Sequence, residues 1–275
     1  MFDRALDLVI AHLDGRKRLL HEESAASRDV LASLTKTMQQ DATAASRSAT
    51  ENHGPKSKIE NPKSRINGSQ PKQSRLDALR ATILDSARDP RLANVRQNLV
   101  FGVGNPDADL MFVGEAPGAE EDLQGEPFVG PAGQLLTKMI LAMGIRREDV
   151  YIANIVKFRP GMPPGQSGNR KPTPDEMAAC LPWLEEQIAT IQPKVLVALG
   201  GTALEGLSGK PQSITKSRGS WATYYGIPLM PTFHPSYLLR NQSHTEKRKV
   251  WEDLLQVMEK LGLPISEKQR GYFLR

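Results

Sequence analysis

Four short apolar runs mark the middle and end of the chain, and each stops at a turn residue. They are Asp109–Val113, Val150–Asn154, Lys194–Leu199 and Ile227–Phe233. Their near-continuous apolar character predicts strands covered on both faces. Helical periodicity fills most of the space between them. Leu135, Leu136, Met139, Ile140 and Met143 share a face of a segment that opens at Gly130-Pro131 and stops at Gly144. Thr173-Pro174-Asp175-Glu176 opens a second helix, to about Ile191, with proline in its first turn. Thr202–Leu207 reads as a short helix, and Glu246–Leu261 as an amphipathic one through Val250, Leu254, Val257 and Leu261. Ahead of all these, 75–88 places Leu76, Leu79, Ile83 and Leu84 on one helical face, and Leu99–Phe101 reads as a short strand. Strands alternating with helices predict an α/β fold, a three-layer α/β/α sandwich with a central, mainly parallel four-stranded sheet.

In such a sheet the carboxyl ends of the strands form the ligand-binding edge. At or just past the ends of the four runs stand Glu115, Asn154, Gly200 and His234. Pro117 and Gly118 keep a helix from starting at once after Glu115. A carboxylate, a carboxamide, a glycine turn and an imidazole thus converge. Each has a plain alternative on the residues alone: Asn154 as a turn cap, His234 as a structural histidine, Glu115, Glu120 and Glu121 as solvated loop acids, Phe128 as core. The loop over residues 157–175 holds five prolines and three glycines. A loop of that length inside a domain is characteristically functional.

The termini differ in character. Residues 1–35 have weak helical spacing and read as a helical appendage; His12 and His21 lack partners at metal-ligand spacing. Residues 36–74 are poor in large apolar side chains and read as a disordered basic linker. The folded domain is expected over 75–265, with a tail at 266–275.

Charge changes little in this picture. The pI is near 9.3 and the formal charge +5. Residues 36–75 hold eight Lys or Arg against three acids, which is the whole excess, so the basic pI by itself says little about the folded domain. Mean hydropathy of −0.42 and the lack of a long apolar run argue against a membrane span. A single cysteine, Cys180, allows no internal disulfide; with no basic-then-apolar amino end, a cytoplasmic monomer is the expectation.

The motifs sharpen this. Gly114-Glu115-Ala116-Pro117-Gly118, Glu121-Asp122 and Gly125-Glu126-Pro127-Phe128-Val129-Gly130 resemble the first motif of family 4 uracil-DNA glycosylases. His234-Pro235-Ser236-Tyr237-Leu238-Leu239-Arg240-Asn241 resembles their last, with Asn154-Ile155-Val156-Lys157, Gly168-Asn169-Arg170 and Ser213-Ile214-Thr215-Lys216 between in the same order. The resemblance runs from about Arg75 to Leu261.

It implies an enzyme that flips uracil out of single- or double-stranded DNA and hydrolyses its glycosidic bond, starting base excision repair. Phe128 would stack on the base, with Ala116 also at the substrate. Asn154 would donate to uracil O4 and accept from N3–H, the opposite of what cytosine presents. His234 would donate to O2 as charge develops there. Glu115 would position the water, and Glu121 would crowd the base at C5 and exclude thymine. Ser236, Tyr237, Leu238 and Arg240 would form the loop that enters the duplex, and Lys216 and Arg218 would hold phosphates.

The family carries four cysteines around a [4Fe–4S] cluster. Here Ala87, Pro90 and Phe158 fall at the first three places and Cys180 at the fourth. One cysteine cannot hold that cluster, so no cofactor and no metal is expected, with apolar packing around Phe158 in its place. Residues 157–175 contain no histidine, which argues against the branch that crosslinks to DNA through that loop. Two other readings remain: a uracil- or DNA-binding relative without turnover, and a small-molecule hydrolase, which would not need the wedge loop.

Overall fold

The parallel sheet is present in the computed structural model, which describes residues 70–85, 98–163 and 165–274. Its central strands are β2 (Leu110–Gly114), β3 (Tyr151–Asn154), β4 (Val195–Leu199) and β6 (Ile227–Thr232). They pair in parallel in the order β3-β2-β4-β6. Two short strands extend the edges antiparallel: β1 (Val103–Gly104) beside β3 and β5 (Ala222–Tyr224) beside β6. Every residue of β2, β3 and β4 is buried, which is why these runs show no polar alternation.

Side chains alternate across the sheet and feed two cores. On one face Met111, Val113, Ala153, Leu196 and Ala198 meet α1 (Lys72–Asp85), α4 (Pro174–Ile191) and α5 (Gly201–Ser208), through Leu76, Ile83, Cys180, Leu184, Ile188 and Leu204. On the other, Leu110, Phe112, Ile152, Val197 and Met230 meet α3 (Pro131–Ala142), α7 (Pro235–Arg240) and α8 (His244–Leu261), through Leu136, Ile140, Leu238, Val250 and Leu254. The helix starts are chemically specified. Thr173 accepts from Glu176 N–H while the Glu176 carboxylate returns to the Thr173 N–H, a capping box ahead of Pro174. The Ser243 hydroxyl caps α8 by accepting from the Glu246 N–H.

Four expectations change. The first helix starts at Lys72, not at residue 75, because the Lys72 ammonium reaches the Ile191 carbonyl at 2.9 Å and Asp107 at 3.0 Å. Its Leu84 is 46 % exposed rather than on the buried face. Leu99–Phe101 is buried but forms no strand: the Val100 N–H goes to the Lys157 carbonyl, and the edge strand lies at Val103–Gly104. The residues expected as a tail instead carry α9 (Glu267–Arg270). There Trp251 Nε1 donates to the Gln269 carbonyl and Gln269 Nε2 to that of Ala142. The expected appendage and all but the end of the linker lie outside the described residues, as do Ala87 and Pro90. Among the described residues no helix is long and apolar enough to cross a membrane.

Candidate functional site

The sheet brings the ends of β2 and β3 side by side, in a register that pairs Gly114 with Asn154. Asn154 is 2 % exposed, and its Oδ1 is buried with no hydrogen-bond partner among the described residues. A buried amide oxygen left without a donor is costly in a folded protein, unless a ligand supplies the donor. The space beside it exists because residue 114 is glycine. A Cβ there would lie 2.5 Å from the Phe128 ring and closer still to Asn154 Oδ1. Gly114 is therefore part of the site, although the sequence marked it only as part of a motif.

Phe128 is held in a conformation it would not choose. Its φ is 56°, in the left-handed region that non-glycine residues avoid. Three groups clamp it. Glu121, in α2 (Ala119–Gln124), accepts from the N–H groups of Val129 at 3.0 Å and Gly130 at 2.9 Å, and its other oxygen accepts from Gly118 at 3.1 Å. Arg147 donates to the Pro127 carbonyl at 2.7 Å. Gly133, in the first turn of α3, leaves room for the Phe128 carbonyl. Both Glu121 oxygens are thus occupied by backbone donors, so the carboxylate that the resemblance places at the base's C5 also positions the aromatic turn.

His234 lies two residues past the end of β6 and caps α7. The Ser236 N–H donates to its Nδ1 at 3.1 Å, and the Ser236 hydroxyl lies 2.8 Å from the same nitrogen. An Nδ1 that accepts carries no proton, so the imidazole proton sits on Nε2. Burial, reinforced by the charge of Arg240 and opposed by Glu121, lowers its pKa to about 4. The ring is therefore neutral near pH 7 and offers one N–H. It lies against Phe128, with ring centroids 5.5 Å apart. Gly200, at φ 95°, lets the β4 turn approach: a Cβ there would sit 3.1 Å from that of His234.

Around this centre the loops differ from expectation. Glu115 is half-buried and its carboxylate makes no hydrogen bond or ion pair among the described residues, which leaves it available. Ala116 beside it is half-buried against the core. Asn169 in the long loop comes near Gly118, a place the sequence did not assign. Leu238 is 5 % exposed and packs in the core, so the apolar side chain presented to solvent is Leu239, at 38 %. Tyr237 is tied down through its hydroxyl to Glu246 at 3.1 Å and its ring on Phe233. Ser236 is engaged with His234. Arg240 and Lys216 are exposed. Arg218 is not: it pairs through two nitrogens with fully buried Asp253 and bonds the Lys249 carbonyl, which makes it a structural cation rather than a free phosphate contact.

The four-thiolate cluster implied by the resemblance does not fit the residues present. Cys180 is the chain's one cysteine and is buried in the core. Phe158, at 1 % exposure, packs edge-on against Trp183 at 6.3 Å. Among the described residues no group of three or more His, Cys, Asp or Glu is placed to hold a metal ion.

Comparison with known proteins gives the family. Residues 101–255 match the family model described as Uracil DNA glycosylase superfamily. The chain is 54 % identical over 161 residues to a type-4 uracil-DNA glycosylase of Thermotoga maritima, covering 58 % of this chain and 81 % of that one. It is 41 % identical over 181 residues to the type-4 enzyme of Saccharolobus solfataricus, covering 62 % and 80 %, and 40 % identical over 198 residues to that of Sulfurisphaera tokodaii, covering 69 % and 86 %.

Proposed function

The chain belongs to the uracil DNA glycosylase superfamily, among its type-4 members, and we propose that it flips uracil out of DNA and hydrolyses the bond between uracil N1 and C1′ of the sugar. The observation that carries this is the buried Asn154 Oδ1 without a donor among the described residues, beside Gly114 and the Phe128 ring, which itself lies against an imidazole whose N–H is on Nε2. Uracil N3–H supplies the missing donor, and the Asn154 Nδ2 donates to O4. Cytosine has an acceptor at N3 and an amino group at C4, so both contacts become repulsive in a dry pocket.

Phe128 stacks on the flipped base. As the N1–C1′ bond breaks, its electron pair moves onto the uracil ring, and His234 Nε2–H meets the charge at O2. A neutral donor suits a group that must stabilise an anion without handing over a charge in advance. Glu115 orients the water that attacks C1′ and takes its proton. Leu239 fills the space the base leaves, with Arg240 and Lys216 at the flanking phosphates.

The reaction needs no metal, and we read the protein as free of the iron–sulfur cluster. Purified anaerobically, it should be colourless and lack stoichiometric iron and sulfide. The same reading places it as a cytoplasmic monomer, consistent with its single cysteine.

The deciding experiment is cleavage of labelled oligonucleotides carrying U:A, U:G or single-stranded U, with T:A and C:G controls, followed by alkali. Strand breakage at uracil alone supports the proposal. Tight binding to uracil-containing DNA without breakage at any uracil would turn the assignment to a binding protein without turnover.

A further inference from the structure

Lys157 is completely buried and no carboxylate pairs with it among the described residues. Its Nζ donates to the Asn154 carbonyl at 2.9 Å and to Gln187 Oε1 at 2.5 Å. Gln187, itself fully buried on α4, turns its Nε2 to the Phe101 carbonyl at 3.0 Å and the Tyr151 hydroxyl at 3.4 Å. Methionine would fill the same volume without bringing a cation into the core, so the amine must supply something the apolar stem does not.

The sheet shows what it supplies. The Ile155 N–H donates to the Gly114 carbonyl at 2.9 Å, on the β2 side of β3. In a trans peptide the carbonyl points the opposite way from the following N–H. The Asn154 carbonyl therefore faces the β1 side, where β1 pairs only with Tyr151 and Ile152. Among the described residues no strand reaches that carbonyl, and Lys157 takes the place of one. The peptide after Asn154 is thus pinned from both sides: by Gly114, whose missing side chain opens the pocket, and by Lys157.

We infer that Lys157 is a positioning residue for base selection, fixing the Asn154 backbone and through it the carboxamide that meets the base. This rests on the reading of Asn154 as the base-reading group. The protonation state of the amine matters because a charge-assisted hydrogen bond is roughly twice as strong as a neutral one. Burial lowers the Lys157 pKa to about 7, and the nearby Cys180 acts against that shift. The titratable groups facing it are Cys180 from α4 and, through Gln187, Tyr151 from β3. Burial pushes the Tyr151 phenol up, so it stays protonated. The grip on Asn154 accordingly weakens as pH rises through neutrality.

The test is a double-mutant cycle in single-turnover excision of uracil, with Lys157→Met, Asn154→Ala and the pair. Lys157→Met should lower the maximal rate about tenfold or more, the scale of one lost buried hydrogen bond, with little change in the enzyme concentration at half-saturation. The double variant should be no slower than Asn154→Ala alone, because Lys157 acts through Asn154. Losses that multiply would overturn the inference, as would a folded Lys157→Met with the parent rate. A parent rate in Asn154→Ala would sink the reading of Asn154 and this inference with it, while leaving uracil excision itself intact. Should Lys157→Met not fold by circular dichroism, Gln187→Glu decides. It keeps an acceptor for Lys157 and adds a counter-charge, so the decline in rate above neutral pH should move up by about one unit or more. A pH profile identical to the parent's would overturn the inference.

Discussion

The imidazole of His234 lies against the ring of Phe128, centroids 5.5 Å apart and planes 29° from parallel. One residue caps α7 just past β6 and the other sits in the turn between α2 and α3. The donor expected to meet the leaving base and the ring expected to stack on it therefore support each other. Both depend on Gly114 and Gly200 for the close approach of the strands beneath them.

Gly114→Ala should test that geometry most directly. The added methyl meets the Phe128 ring and Asn154 Oδ1, neither of which can give way without losing its place. Overpacking of this kind costs about 1–3 kcal/mol of stability, and misplacement near 1 Å at a reacting site can cost about 10²-fold in rate. Single-turnover excision together with a melting curve would show a rate loss larger than the stability loss accounts for. An unchanged rate would remove Gly114 from the site.

His234→Ala should slow excision by about 10²–10³, the usual loss for one such donor, with near-normal binding to DNA. In the parent, nitrogen NMR should report a neutral ring with Nδ1 unprotonated and no titration between pH 5 and 8, since burial holds the pKa down at about 4. The folding contribution follows in sign. With the folded pKa below the ordinary value of 6.5, the stability linked to this group is full above about 6.5. It is lost as pH falls towards 4.

Leu238 and Leu239 are adjacent, yet their replacements should fail differently. Leu238→Ala empties a core position and should cost about 2–5 kcal/mol in a denaturation experiment. Leu239→Ala should leave stability within about 0.5 kcal/mol and slow excision from duplex more than from single-stranded DNA, because only the duplex has a stack to fill. Equal slowing on both substrates would argue against the wedge.

Lys216 and Arg218 separate in the same way. Lys216→Met should weaken DNA binding and reduce the slope of log affinity against log salt by about 1. Arg218→Met leaves Asp253 buried without its cation, a loss of about 3–5 kcal/mol, read as a lowered melting temperature. A changed salt slope in a well-folded Arg218→Met would restore it as a phosphate contact.

The order of elements, the parallel centre of the sheet and the sheet edge that carries Glu115, Asn154 and His234 were legible in the residues. Those features rest on local chemistry: fully apolar runs, a threonine–glutamate capping box, prolines in first turns, glycines at strand ends. What the sequence left open depended on contacts between segments far apart along the chain. Leu99–Phe101 is as apolar as a strand, but its Val100 N–H goes to Lys157, so the ladder forms at Val103 instead. Leu238 and Leu239 carry the same side chain, and only the packing of α7 against α3 decides which is buried. Arg218 and Lys216 are both cations two residues apart, yet Asp253 arrives from another helix to claim one of them. The buried amine of Lys157 is invisible in a lysine written beside three apolar residues. It takes on meaning once the Asn154 carbonyl is seen to face a gap in the sheet, because hydrogen bonds left unmade by the backbone are a property of the assembled fold and not of any local stretch.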